Sequence, residues 1–166
     1  MNIFLIGFMG CGKSTLAKKL ASKTGYRLVD LDHEIERDLG QTVASFFAEK
    51  GENAFRELES TTLKSYSGDE NSVIATGGGT PCFFDNMDWM NENGQTIYIE
   101  MQPHALVKRL EHGKAKRPLI KDLDEAALLH FIEQKVKERE PFYKKAKYIV
   151  NGINLTADDI KALFHT

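Results

Sequence analysis

Cysteine is scarce: the 166 residues hold two, Cys11 and Cys82. Two is too few for a disulfide framework, and both read as reduced thiols of a cytosolic protein. An excess of charge of one sign is also missing. Lys and Arg total 22 against 24 Asp and Glu, a formal net charge of −2, so nothing global argues for nucleic acid or an anionic membrane. No apolar run approaches the roughly 20 residues a bilayer span needs. The apolar stretch at the start is short, lacks a basic leader and a cleavage site, and reads as a strand rather than a signal peptide. Internal repeats and low-complexity tracts are absent. What is present is 42% hydrophobic content, which suits one compact domain over 1–166 with a real core.

Apolar runs and helical periods alternate along the chain. Strands are expected at NIFLI (2–6), YRLVDL (26–31), SVIAT (72–76), QTIYIEM (95–101) and KYIV (147–150). Helices are expected at about 13–23, 32–39, 43–50, 52–66, 82–92, 103–111 and 124–140, with a last one after Thr156. Gly25, Gly40 and Gly51 fall where C-terminal caps belong. Pro103 suits a first helical turn, and Pro141 is expected to end or kink the long helix before it. Thr156-Ala-Asp-Asp159 has the form of a capping box with Asp in place of Glu. Residues 112–123 (HGKAKRPLIKDL) follow neither period and carry four basic residues, which reads as a mobile basic loop. Such alternation means a three-layer α/β/α fold around a parallel sheet. Ligands bind such sheets beyond the carboxyl ends of the strands.

Residues 7–15 read GFMGCGKST, directly after the first strand. This fits the phosphate-cradling pattern, in which glycines let successive N–H groups point at phosphate oxygens. Lys13 is then placed on the β- and γ-phosphates and Ser14 on Mg²⁺. Gly10, Cys11, Gly12 and Thr15 complete the nucleotide-binding set, Cys11 as a small side chain that fits a variable slot. Asp30 and Asp32 follow strand two, and alternation would put both on one side of an extended chain. They can hold metal-bound water and orient an acceptor hydroxyl; they can equally be a helix N-cap at Asp32 beside a solvated Asp30. Gly77-Gly78-Gly79 suits close approach of a ligand to backbone, or a tight structural turn. Arg56, alone on its helix, reads no differently from a solvated surface charge. Arg117, in the basic loop, suits closure over polyphosphate.

Taken together, GFMGCGKST, LVDLD (28–32), FFAEKGENAFRELE (46–59), TGGG (76–79), KRPLI (116–120) and EREPFYKKA (138–146) resemble the shikimate kinase family over nearly the whole chain. The combination D-x-D, F-R-x-x-E, GGG, R-P-L and R-x-P-x-Y, in that order and spacing, carries the resemblance; the phosphate loop alone is common to many NTPases.

The resemblance implies a P-loop kinase fold with five parallel strands in the order 2-3-1-4-5. It also implies a substrate-binding region at about 32–60, a lid at about 112–123, and ATP-dependent phosphorylation of the 3-hydroxyl of shikimate on the way to aromatic amino acids. By the same resemblance Asp32 binds the shikimate hydroxyls, and Arg56 and Arg139 bind its carboxylate. Gly77, Gly78 and Gly79 border the substrate, the last two offering N–H groups. Arg117 folds over the phosphates, and Ser14 with Asp30 serves Mg²⁺. Val43, Phe47 and Phe55 wall the pocket, and Glu59 holds Arg56. Lys13, Asp32 and Arg117 form the catalytic set. Many members place an adenine-stacking Arg seven residues before the lid Arg; here that position is Leu110, and Arg109 is taken for the role. The segment 151–159 departs from the family pattern near the adenine.

ATP and shikimate are the expected partners, in a cytoplasmic monomer without nucleic acid or membrane. A gluconate or nucleoside monophosphate kinase is the nearest rival, and a slow nucleotide switch the rival of another class. A nucleoside pocket needs base-reading groups, whereas Phe46, Phe47, Phe55, Arg56 and the carboxylates of 32–60 suit a small acidic polyol. A switch needs base-specificity motifs and an effector surface, and neither is evident.

Overall fold

A computed structural model describes residues 1–68, 70–113, 117 and 119–164. Five parallel strands form its centre: β1 (Ile3–Ile6), β2 (Arg27–Asp30), β3 (Ser72–Ala75), β4 (Gln95–Glu100) and β5 (Tyr148–Asn151). Their order across the sheet is β2-β3-β1-β4-β5, as the resemblance implies. The helices are α1 (Lys13–Thr24), α2 (Leu31–Leu39), α3 (Val43–Lys50), α4 (Glu52–Lys64), α5 (Asn86–Asn93), α6 (Pro103–Glu111), α7 (Glu125–Tyr143) and α8 (Ala157–Ala162). A short 3₁₀ turn, Thr80–Cys82, precedes α5.

Alternation along the central strands divides the core into two layers. Ile3 and Leu5 of β1, Val73 and Ala75 of β3, and Ile97 and Ile99 of β4 face one layer, with Leu16 and Leu20 of α1, Leu106 and Leu110 of α6, and Leu128, Ile132 and Val136 of α7. Phe4, Ile6, Ile74 and Tyr98 face the other, with Ile35 of α2, Leu63 of α4 and Met90 of α5. The central strands are mostly apolar because both faces are covered; Ser72 and Thr96 are their buried polar residues.

Caps set the helix boundaries. Gly25 and Gly40 take left-handed conformations at the ends of α1 and α2. The capping box at Thr156 forms in full: its hydroxyl accepts from Asp159 N–H, and the Asp159 carboxylate accepts from Thr156 N–H. Asp124 caps α7, accepting from Ala127 N–H at 2.8 Å.

Two expectations are corrected. Strand two stops at Asp30, which caps α2, so Asp32 lies within the first helical turn and the alternation argument does not apply to the pair. Helix α7 runs through Pro141 to Tyr143. A proline in the last turn removes one N–H donor, but too little helix follows for a break, and Lys144 N–H still reaches Glu140 O at 2.9 Å. The expected lid, 112–123, falls partly on 114–116 and 118, which lie outside the described residues. Ile120 is fully buried in the first core layer and pins the later part of that segment.

Candidate active site

The loop between β1 and α1 bends through Gly10 and Gly12, at φ of 85° and 98°, in the left-handed region that side chains resist. A Cβ at Gly10 would also come within 2.9 Å of the Leu110 side chain. Lys13 is buried and folds back over the loop: its Nζ donates to Gly7 O at 2.5 Å and to Phe8 O at 3.1 Å. Cys11 packs into the core with its Sγ 3.8 Å from that Nζ, and its own N–H is spent on Phe8 O at 3.2 Å. Cys11 therefore shapes the loop from within, which agrees with its reading as a small side chain that fits, and its backbone N–H is already paired within the loop. Ser14 and Thr15 are exposed at the start of α1.

Ser14 Oγ donates to Asp30 Oδ2 at 3.0 Å, and Asp30 Oδ1 accepts from His33 N–H at 3.3 Å. The capping alternative thus holds for Asp30, not for Asp32. Asp32 is half-buried, and its carboxyl is raised from 3.8 to about 6. Burial is the largest cause, followed by the carboxylates of Glu59 and Asp30; Lys13 opposes them. A carboxylate of that affinity suits a group that takes a proton near neutral pH.

On α4 and α7, two arginines face the backbone of the triple glycine. A Cβ at Gly79 would stand 2.7 Å from both terminal nitrogens of Arg56, and one at Gly78 would stand 3.1 Å from Arg139 Nη1. Arg56 lies over the Phe83 ring at 4.3 Å and holds Glu59 Oε1 at 3.0 Å. Its Nε is buried without a hydrogen-bond partner. Arg139 lies 5.4 Å from the Phe8 ring of the phosphate loop. A residue that sequence reading set apart as an ordinary surface charge is thus held at the rim. Gly77 N–H donates to Thr80 Oγ at 2.9 Å, so the backbone donors left open at this turn are those of Gly78 and Gly79.

Arg109 is exposed on α6, and a Cβ at Gly12 would stand 3.1 Å from its Nη1. Leu110 is buried against Gly10. Arg109, not Leu110, therefore overhangs the phosphate loop. Arg117 is exposed; its carbonyl accepts from Ile120 and Lys121, and among the described residues no hydrogen bond or ion pair ties its side chain to the loop. In 151–154, Asn154 takes φ 57° and Asn151 Oδ1 accepts from Ile153 N–H, a tight turn after β5.

The site thus has a glycine-bent loop with the phosphate-cradling pattern and, beside it, a raised carboxyl and two arginines around the triple glycine. The shikimate kinase family model matches residues 9–164. The chain belongs to the shikimate kinase family. As a member it is a phosphotransferase acting on shikimate. It is 44% identical over 155 residues to the shikimate kinase of Bacteroides thetaiotaomicron, covering 93% of this chain and 89% of that protein. A crystal structure of shikimate kinase from the same organism superposes with a TM-score of 0.94 at 40% identity, over 100% of this chain and 99% of that one. The shikimate kinase of Acinetobacter baumannii in complex with shikimate gives 0.88 at 30% identity, over 98% and 92%.

Some residues packed behind the candidate site of this shikimate kinase escaped sequence reading. Tyr143, in the R-x-P-x-Y run, is fully buried and donates to Gly78 O at 2.5 Å. Thr80, Asn86 and Ser60 lie buried behind the triple glycine. The Tyr143 position within a shared motif was a usable signal; the other three offered none.

Proposed function

We propose a two-substrate site in which the γ-phosphoryl group of ATP passes to the 3-hydroxyl of shikimate. One observation carries this assignment: a Cβ at Gly77 would stand 3.3 Å from Asp32 Oδ1 and 3.1 Å from Glu59 Oε2, the carboxylate that holds Arg56, and one at Gly78 would stand 3.4 Å from Met9 N of the phosphate loop. The donor and acceptor halves therefore meet around the triple glycine.

ATP takes the loop, with the N–H groups of Gly10, Gly12, Lys13, Ser14 and Thr15 toward its phosphates and Arg109 above them. Shikimate lies between Asp32 and the triple glycine, its carboxylate gripped by Arg56 and Arg139. Two guanidinium forks fix a planar carboxylate in both place and direction. Asp32 orients the hydroxyl and accepts its proton. Lys13 leaves its loop carbonyls for the β- and γ-phosphates, and Arg117 closes over them and excludes water. Phosphoryl transfer has a loose transition state, so alignment and charge neutralisation supply most of the acceleration.

Ser14 and Asp30 fit Mg²⁺: a hydroxyl and a carboxylate at 3.0 Å are hard oxygen donors, and this ion needs few protein ligands. When bound, it neutralises charge on the phosphates. Residues 1–166 are one domain in this reading, with 32–60 as the acceptor region and 112–123 as the lid. We also read the chain as a cytoplasmic monomer. Both cysteines are free thiols, and its exposed large apolar side chains, Leu28, Phe84, Leu119, Ile149 and Ile153, come from separate elements rather than one helix face. Among the described residues no helix is long and apolar enough to cross a membrane.

The deciding experiment measures ADP formation with shikimate, gluconate, AMP and no acceptor. Strong stimulation by shikimate alone is the expected result. Stimulation by another acceptor, or by none, overturns the assignment.

A further inference from the structure

Behind the triple glycine, four buried polar side chains from three parts of the chain form a continuous hydrogen-bonded row. Ser60 Oγ donates to Asn86 Oδ1 at 2.7 Å. Asn86 Nδ2 donates to Thr80 O at 2.9 Å. Thr80 Oγ accepts from Gly77 N–H at 2.9 Å and donates to Glu59 Oε2 at 2.8 Å. Glu59 Oε1 accepts from Arg56 Nη1 at 3.0 Å. All four side chains are at most 7% exposed, so each would cost free energy here if left unpaired.

The chemistry fixes the direction of the row. A threonine hydroxyl has one proton. Gly77 N–H can only donate, so it takes the oxygen's lone pair, and the hydroxyl proton goes to the carboxylate. Asn86 turns its amino group to a carbonyl, which leaves its oxygen for the serine. The Thr80 hydroxyl oxygen is therefore one atom bonded to both halves of the acceptor pocket. Through Glu59 it holds Arg56. Through Gly77 it holds the first peptide of the turn that carries Gly78 and Gly79.

We infer that Thr80 is a positioning residue for the acceptor: its hydroxyl sets the spacing between the Arg56 guanidinium and the Gly78–Gly79 backbone. This rests on the reading of those groups as the shikimate site. Ser60, at the far end of the row, bonds through its hydroxyl to Asn86 rather than to Glu59 or Gly77 and serves the fold alone.

The test compares Thr80→Val, Thr80→Ser and Ser60→Ala with the wild-type enzyme, measuring kcat, the KM for each substrate and the melting temperature. Thr80→Val keeps the shape and removes the hydroxyl. It is expected to raise the shikimate KM on the order of 10-fold or more while leaving the ATP KM within about 2-fold. Thr80→Ser is expected to restore the shikimate KM. Ser60→Ala is expected to lower the melting temperature without moving either KM. A wild-type shikimate KM in Thr80→Val overturns the inference, as does a serine that fails to rescue or a parallel rise in both KM values. Should Thr80→Val not fold, Thr80→Ala is read by the same criteria. If the wild-type enzyme itself shows no turnover with shikimate, the site assignment has failed rather than the role of Thr80.

Discussion

The Arg56 guanidinium lies flat against the backbone of Gly79, and a Cβ there would stand 2.7 Å from both of its terminal nitrogens and 2.9 Å from Cζ. Gly79 has φ −92° and ψ −10°, a conformation open to any residue. The arginine, not the backbone, requires glycine here. Gly79→Ala should fold normally, displace the guanidinium and raise the shikimate KM by about 10- to 100-fold. Combined with Arg56→Ala, its effect should be far less than additive, since both act on one group. Additive losses would show that Gly79 matters for another reason.

The carboxylate grip can be tested at the arginines directly. Arg56→Ala or Arg139→Ala should weaken shikimate binding by about 2–5 kcal/mol, the range for truncating one partner of a buried charge pair. ATP affinity should hardly change. Arg56 Nε is buried without a hydrogen bond, with only the ion-pair contact to Glu52 Oε1 at 3.6 Å, so the guanidinium keeps donor capacity for a ligand. Titration calorimetry with each substrate separates the two effects, and wild-type shikimate affinity in both variants would remove the grip.

The fold was largely legible because its signals are local. Apolar runs marked the strands, glycines marked the ends of α1, α2 and α3, and Thr156 with Asp159 announced the last helix. The phosphate loop was legible because one segment makes it. Asp30 and Asp32 were misplaced because alternation assumes that the strand continues, and the Asp30 side chain itself ends it by capping α2. Thr80 was invisible for a different reason. Its carboxylate partner Glu59 lies 21 positions away, and a small polar residue in a turn looks the same whether it faces water or closes a buried row. Tyr143 was marked by its motif, but its acceptor, Gly78 O, lies 65 positions away, so the bond itself could not be read. Arg56 on its own looked like a surface charge; the F-R-x-x-E motif singled it out through the resemblance, and the packing places it against the glycine turn. The register near Arg109 was not legible either: Leu110 is consumed by the core, which leaves Arg109 as the side chain beside Gly12.

Lys13 sits among the loop carbonyls with its charge satisfied by Gly7 O and Phe8 O. Lys13→Ala removes a buried cation and leaves no uncompensated charge behind, and Phe8 O keeps its bond from Cys11 N–H, so the fold should survive. Turnover should be nearly abolished, because no other side chain of the loop carries positive charge to the phosphates. Circular dichroism and the melting temperature check the fold, and ADP release checks the chemistry. Turnover within about 10-fold of wild type would deny Lys13 its place on the phosphates.

Arg117 carries the carbonyl that accepts from Ile120 and Lys121, Ile120 is buried in the core, and we propose that the Arg117 side chain closes over the phosphates. Arg117→Ala should lower kcat more than it weakens shikimate binding, since its contact is made on closure. Single-turnover measurement at saturating shikimate isolates that step. An unchanged kcat would remove the lid role.

Asp32 couples function to a stability cost. Its folded carboxyl titrates at about 6 against 3.8 ordinarily, raised by burial and by the neighbouring charges of Glu59 and Asp30. Between those values the folded protein holds a proton that the unfolded chain has released. The favourable contribution of the neutral carboxyl is therefore present below about pH 4 and lost as the pH rises through about 6. Above that, the ionised group costs at most about 3 kcal/mol, from two pKa units at 1.36 kcal/mol each. Asp32→Asn keeps the shape and removes the charge. In metal-free buffer at pH 8 it should raise stability by about 1–3 kcal/mol, or about 2–10 °C in Tm for a chain of this size. The gain should vanish near pH 4, and turnover should be lost at every pH. Melting curves of both proteins across this window decide it: a stabilisation that does not depend on pH would mean that the carboxylate is not the source of the cost.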